Sequence, residues 1–266
     1  LGGIGFAVWS TVNYTNDTLH VVFNNTTGTL AVAPGDVITL SHTILDGLKR
    51  PPLNDTIIIS GSFDNVISNA TAYWKLDEAS GTTVIDGTTK NNHGTITNAV
   101  RTSPGYDNTG YAMTFDGSSD YVEMIGTDLS LTNYLKIDFR IKGDGANNVN
   151  NDVIIEGDVF KVAIWDSGSG RSVMSCVKTT ANWQPCSYAT TPVLTTTNWH
   201  HVEVTWIGNT TNQISVSIDG GAAEGTTGTS GSTLAATQDK IRLGSSLGGS
   251  NFFNGELDEI IIMNQP

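Results

Sequence analysis

The feature that most constrains the fold is a two-residue alternation of apolar and polar side chains, recurring in short runs between Gly-, Asn- and Thr-containing breaks. Lys136-Ile137-Asp138-Phe139-Arg140-Ile141-Lys142 shows it most strictly, apolar to one side and charged to the other. A period of two sends successive side chains to opposite faces of a β-strand. Val153 to Ile155, Phe160 to Trp165, His201 to Ile207, Ile214 to Ile218 and Ile260 to Met263 read as further strands. Residues 143–151 and 220–232 read as polar connections that contain glycine. No amphipathic helix stands out, and no repeat of solenoid period. Abundant Thr, Ser, Asn and Gly, with only 15% charged residues, suit short strands and polar turns. The expected class is all-β.

Charge and hydropathy exclude two kinds of partner. A formal charge of −13 repels a phosphate backbone, so nucleic acid is not expected. The longest apolar stretch, Ile4 to Trp9, is far short of the roughly 20 residues of a membrane-spanning helix. No basic-then-apolar leader opens the chain, which is expected to be a mature, exported protein. The two cysteines, Cys176 and Cys186, flank what reads as a hairpin tip around Trp183. A bridge between them closes a loop worth about 2.8 kcal/mol on the chain-entropy model. An exported chain favours that bridge over two free buried thiols.

The first 70 residues carry most of the Asn-x-Ser/Thr acceptor patterns: Asn13, Asn16, Asn24, Asn25, Asn54 and Asn69, with Asn209 alone beyond them. They also read as short strands, at Leu19 to Phe23, Thr29 to Ala33, Val37 to Leu40 and Thr56 to Ser60. The expected division is a small β-sandwich-like domain over 1–68 and a second domain over 69–266. Ile4 to Val12 is apolar on both faces, with Ile4, Phe6 and Val8 on one and Trp9 on the other. Such a strand wants burial on both sides. It is either an inner strand of its own domain or a strand donated to a neighbouring subunit.

From residue 73 onward short motifs follow one another in a fixed order. Tyr73-Trp74-Lys75-Leu76-Asp77-Glu78 opens it, and Asn92-His93-Gly94-Thr95-Ile96 follows. Gly110-Tyr111-Ala112-Met113-Thr114-Phe115-Asp116-Gly117 and Trp199-His200-His201-Val202 come next. Val216-Ser217-Ile218-Asp219-Gly220, Ile241-Arg242-Leu243-Gly244 and Phe253-Asn254-Gly255-Glu256-Leu257-Asp258-Glu259-Ile260 complete it. This order resembles a laminin-G-like jelly roll of the concanavalin A-like lectin/glucanase superfamily. The resemblance implies an antiparallel jelly roll over residues 72–264, in a secreted protein used for adhesion, glycan binding or structure. Heavy Asn and Thr use and low Lys and Arg are also similar to archaeal surface proteins.

The resemblance sets three chemical expectations. Glucanases of the superfamily align carboxylates on one strand; here Glu256 and Asp258 share a face, but simple alternation puts Ile260 next, so catalysis is not expected. His200 and His201 are adjacent in a strand pattern, unlike the helical spacing of a zinc protease. Calcium is the implied ion, with Asp116 and Asp120 as its carboxylates and Asp86 with Asn92 as a second loop. The competing reading is that Asp116-Gly117 only closes its own turn. For glycans, Trp183, Tyr106 and Phe252 are the candidate platforms, while Trp74, Trp199 and Trp206 read as core.

Two functions follow, both extracellular and non-catalytic. One is a structural or adhesive cell-surface glycoprotein that self-associates into a pilus-like filament or layer, with Ile4, Phe6, Val8 and Trp9 anchored in the next subunit. The alternative is a secreted carbohydrate-binding, lectin-like module.

Overall fold

A computed structural model describes residues 13–15, 18–20, 37–42 and 53–58 as backbone strands. It also describes residues 70–265, apart from 107, 144–150, 167–169, 180–182, 190–193, 195–197, 209–211, 229–233 and 235–238. The chain divides into two compact units, Leu1–Phe63 and Asp64–Pro266. In the first, β1 (Asn13–Thr15) pairs with β2 (Thr18–His20), and β3 (Val37–His42) with β4 (Leu53–Ile58), both antiparallel. β4 starts at Leu53, ahead of the expected Thr56, because Leu53, Asn54 and Asp55 find ladder partners in His42, Ser41 and Leu40. Two expected strands, Ile4 to Val12 and Thr29 to Ala33, lie outside the described residues, and with them Ile4, Phe6, Val8 and Trp9.

The described residues of the second unit form sixteen strands. They begin with β5 (Ala70–Trp74), β6 (Thr83–Val84), β7 (Gly94–Thr97), β8 (Val100–Thr102), β9 (Ala112–Asp116) and β10 (Tyr121–Ile125). Then come β11 (Tyr134–Gly143), β12 (Val153–Gly157), β13 (Phe160–Asp166), β14 (Arg171–Lys178) and β15 (Trp183–Tyr188). The last are β16 (His200–Ile207), β17 (Gln213–Ile218), β18 (Glu224–Thr227), β19 (Lys240–Leu243) and β20 (Asn254–Met263). They form two eight-stranded antiparallel sheets. Sheet I runs β18-β17-β16-β11-β20-β9-β8, with β5 also paired to β20; sheet II runs β15-β14-β13-β12-β19-β10-β7-β6. The strands are neighbours across long sequence distances, as a jelly roll requires. No helix occurs among the described residues.

The alternation read from sequence becomes the core. In β11 Leu135, Ile137, Phe139 and Ile141 are fully buried while Lys136, Asp138, Arg140 and Lys142 face outward. Across the ladder Val202, Val204 and Trp206 of β16 continue the inner face. Trp74 and Trp206 are completely buried, and each indole N–H has a partner: the Asn92 carbonyl at 2.8 Å and the Asn212 carboxamide at 2.9 Å. Buried tryptophan needs such an acceptor for its one polar atom.

β20 departs from simple alternation. Its pairing with β11 passes from Asp138↔Ile261 to Arg140↔Asp258, a β-bulge at which Glu259 adopts φ +49°. Leu257 and Ile260 both remain in the core, so the two residues between them no longer alternate. The expectation that Ile260 follows Asp258 on the outer face is therefore corrected.

Candidate functional site

Aromatic and hydrogen-bonding side chains converge on the outward face of sheet I, where β20 and the loop that carries Gly105 and Tyr106 assemble a site. Asp258 is buried, and both its oxygens accept backbone N–H bonds: Oδ2 from Tyr106 at 2.8 Å and Oδ1 from Glu259 at 2.9 Å. A Cβ on Gly105 would sit 2.7 Å from that Oδ2, so the loop can approach the carboxylate only with glycine there. Burial pushes the Asp258 carboxyl up to about 7, and the charges of Glu259 and Asp77 add to the rise against the pull of the two N–H bonds. Through the bulge, Glu259 accepts a hydrogen bond from the Tyr73 hydroxyl. That hydroxyl is pushed well above the ordinary phenol range, first by burial and then by Glu259.

With its backbone held by Asp258, the Tyr106 ring stands 38% exposed and meets Trp199 edge-on, at 6.1 Å between centroids and 83° between planes. The Arg140 guanidinium lies 4.7 Å over the Tyr106 ring, and Lys142 Nζ lies 5.9 Å from the Trp199 ring while pairing with Glu256 at 2.9 Å. Nε and Nη1 of Arg140 are shielded from water and have no hydrogen-bond partner among the described residues; Asp138 is 3.7 Å away, an ion pair but not a hydrogen bond. The result is an aromatic corner rimmed by two cations, a carboxylate and donors still to be satisfied.

Trp199 belongs to this corner and not to the core, which corrects its expected placement. It immediately precedes β16, whose inward residues are His200, Val202, Val204 and Trp206. Parity counted back from Trp206 sends position 199 outward. That signal was present in the sequence.

The other glycan candidates lie elsewhere. Trp183 opens β15 on sheet II, half-buried, with Lys161 and Lys178 at 5.7 and 5.8 Å from its ring. Phe252 is half-buried and forms an isolated bridge with Val153. Trp183 and Tyr106 thus stand on different sheets and do not build one platform. Cys176 and Cys186 face each other across β14 and β15 and are bonded. Of the acceptor asparagines, Asn13 lies on β1 and Asn54 on β4; Asn16, Asn24, Asn25, Asn69 and Asn209 lie outside the described residues.

The carboxylates expected for calcium are engaged in building their own loops. Asp116 Oδ1 accepts the N–H groups of Ser118 and Ser119, and Asp120 Oδ2 accepts that of Asp116. Burial, with Asp116 beside it, raises the Asp120 carboxyl above its ordinary range. Asp86 likewise accepts from Tyr73, Thr88 and Asn92. Calcium takes six to eight oxygens, and neither loop brings three carboxylate or imidazole ligands together among the described residues. Asp138, His201 and Glu203 do converge, but Lys136 pairs with Glu203 at 2.7 Å and His201 with Asp138 at 2.8 Å, which makes an ion-pair network on the sheet.

Two antiparallel sheets enclosing one apolar core, with a polar and aromatic outer face, define a lectin-like jelly roll. The chain belongs to the laminin-G-like family of the concanavalin A-like lectin/glucanases superfamily, whose family model matches residues 116–266. Among solved structures, it is similar to domain 4 of AbnA, an extracellular arabinanase from Geobacillus stearothermophilus, in complex with arabinotriose. That likeness has 17% identity and a TM-score of 0.54, and covers 73% of this chain and 92% of that one. It is also similar to the binding domain of Paraclostridial Mosquitocidal Protein 1, at 12% identity and a TM-score of 0.57, over 74% of this chain and 49% of that one. The binding domain of botulinum neurotoxin DC in complex with SialylT matches at 10% identity and a TM-score of 0.57, over 74% and 48%. The match thus spans about half the length of these toxin domains. At such identities the likeness is one of fold. Comparison with curated proteins finds no match.

Proposed function

We propose that this protein is a secreted, non-catalytic carbohydrate-binding module that holds a saccharide on the outer face of sheet I. The observation that carries the reading is the Tyr106–Trp199 corner, with Arg140, Lys142 and Glu256 at its rim. A sugar presents an apolar ring face and a belt of hydroxyls. An aromatic ring beside charged donors and acceptors matches both. The structural neighbours solved with arabinotriose and SialylT support the reading, and the disulfide supports an oxidising, extracellular setting.

Catalysis is disfavoured by how the β20 carboxylates are engaged. Asp258 accepts two backbone N–H groups, Glu256 is paired with Lys142, and Glu259 accepts from Tyr73. Filament assembly, the leading expectation from sequence, gives way to the lectin-like alternative: its strand lies outside the described residues and the comparisons lend it no support.

The test is a screen of neutral oligosaccharides, followed by calorimetry on Trp199→Ala and Tyr106→Ala. Each substitution is expected to weaken binding at least about tenfold, the scale of an anchoring aromatic residue. A screen without hits, or hits indifferent to both substitutions, overturns the reading. Removal of residues 1–12 is expected to leave binding intact. Turnover of a bound glycan overturns the non-catalytic part alone.

A further inference from the structure

Sheet II carries a second convergence, distinct from the corner on sheet I. Nearly every described cation of this acidic chain is neutralised. Lys75 meets Asp77, Lys90 meets Asp128, Lys136 meets Glu203, and Arg140 meets Asp138. Lys142 meets Glu256, Arg171 meets Asp166, and Lys240 and Arg242 share Glu123. Arg101 donates to the carbonyls of Gly81 and Thr83. Besides Arg101, Lys161 and Lys178 are the described cations with no carboxylate within ion-pairing distance, and both stand over the ring of Trp183.

The strands hold these three side chains together. Lys161, Cys176 and Cys186 form one cross-strand row over β13, β14 and β15, and Lys178 pairs with Trp183 in the row beyond it. The Cys176–Cys186 bond ties β14 to β15 beside the tryptophan. The nearest candidate for neutralising the lysines is Glu156, which faces Lys161 across the ladder. Its carboxylate accepts the Leu247 N–H at 3.0 Å and makes no ion pair with either ammonium group; both lysines act on it only through space, pulling its carboxyl down against the larger rise from burial.

We propose that Lys161, Lys178 and Trp183 form a binding site for a sugar that carries a carboxylate, a uronic acid unit. The Trp183 ring would pack against the sugar, and the two ammonium groups would straddle its carboxylate as charge-assisted donors. A formal charge of −13 opposes a long polyanion, because the field of the whole chain repels each further negative charge. The fitting ligand is a short or terminal acidic unit. That the ligand is a sugar rests on the lectin-like reading; that it is anionic rests on the unpaired lysines alone.

The experiment titrates trigalacturonate, trigalactose and sodium acetate separately into the full chain at low salt. It follows the indole N–H resonances by NMR and the affinity by calorimetry. Trigalacturonate is expected to shift the Trp183 indole and to bind at least about tenfold more tightly than trigalactose, with affinity falling as salt is added. Lys161→Gln with Lys178→Gln is expected to remove that preference, and the corresponding Arg pair to keep it. Equal binding of the two trisaccharides at Trp183 overturns the anionic assignment while sparing the lectin-like reading. Acetate matching trigalacturonate overturns the sugar assignment and leaves a simple anion site. No response at Trp183 to any probe overturns the site, and a response at Trp199 in the same titrations then tells that failure from failure of the lectin-like reading. Melting temperatures matched to wild type show that the variants are folded.

Discussion

Replacing Asp258 by asparagine tests the electrostatics beneath the Tyr106–Trp199 corner. The Asp258 carboxyl titrates at about 7 in the folded protein, against an ordinary value of 3.8. Between those values the folded state holds a proton that the unfolded state has released, so stability falls as pH rises. The direction is opposite to that of a salt-bridged aspartate. A shift of about three units, at about 1.4 kcal/mol each, sets a ceiling of about 4 kcal/mol. Solvent at the rim and coupling to Glu259 reduce the expected loss to about 2–3 kcal/mol between roughly pH 4.5 and pH 8. The carboxamide of the Asp258→Asn variant cannot titrate. Its oxygen accepts one of the two backbone N–H groups while its NH2 opposes the other, a cost of about 1–2 kcal/mol that does not vary with pH. Urea unfolding of both proteins across this range measures the difference directly. Wild type should lose its advantage over Asp258→Asn steadily as pH rises, the change flattening above about pH 8. Parallel stability curves would refute the reasoning, showing that the two N–H bonds outweigh burial and keep the group ionised throughout.

Three further outcomes check other parts of the fold. Cys176→Ser with Cys186→Ser should lower unfolding stability by about 2–3 kcal/mol in denaturant melts, the entropy of the short loop the bond closes. Gly255→Ala should destabilise by at least about 1–3 kcal/mol, because its Cβ would lie 2.6 Å from the Lys142 carbonyl and 2.5 Å from the Phe253 ring; calorimetric melting reads the change. Phe139→Ala, removing a fully buried ring from the centre of β11, should cost about 3–5 kcal/mol by urea titration without altering the disulfide.

The parts legible in the sequence were those governed by period. The alternation in β11 and β16 predicted which side chains enter the core, and Ile137, Phe139, Ile141, Val202 and Val204 are there. The ordered motifs pointed to the jelly roll that the family match covers over residues 116–266. Trp199 was misread because tryptophan in a strand-like run suggests core, whereas parity from Trp206 already placed it outward. The bulge at Glu259 was not legible. It depends on Asp258 finding the Tyr106 N–H more than a hundred residues away in sequence. The lysines at Trp183 were hidden for a similar reason: Lys161 lies on another strand, and only the pairing of β13 with β14 brings it near.

The same bulge bears on whether this face binds or reacts. A hydrolase of this superfamily needs carboxylates on one strand with a proton to give and an oxygen open to the sugar. The bulge does bring Glu259 out beside Asp258, and it lifts Asp258 into the range of a general acid. Yet the geometry that raises that pKa also closes the group. Asp258 is buried under the loop that carries Gly105 and Tyr106 with both oxygens on backbone donors, one of them the N–H that holds Tyr106 in place. Exposing Asp258 to a substrate would release the Tyr106 backbone and with it the aromatic corner. Under the proposed reading this perturbed carboxyl supports a binding surface. As clamp or as reagent it moves stability with pH, so a glycan turnover assay distinguishes the two roles: a clamp leaves turnover absent in both proteins, and a reagent gives turnover in wild type that Asp258→Asn removes.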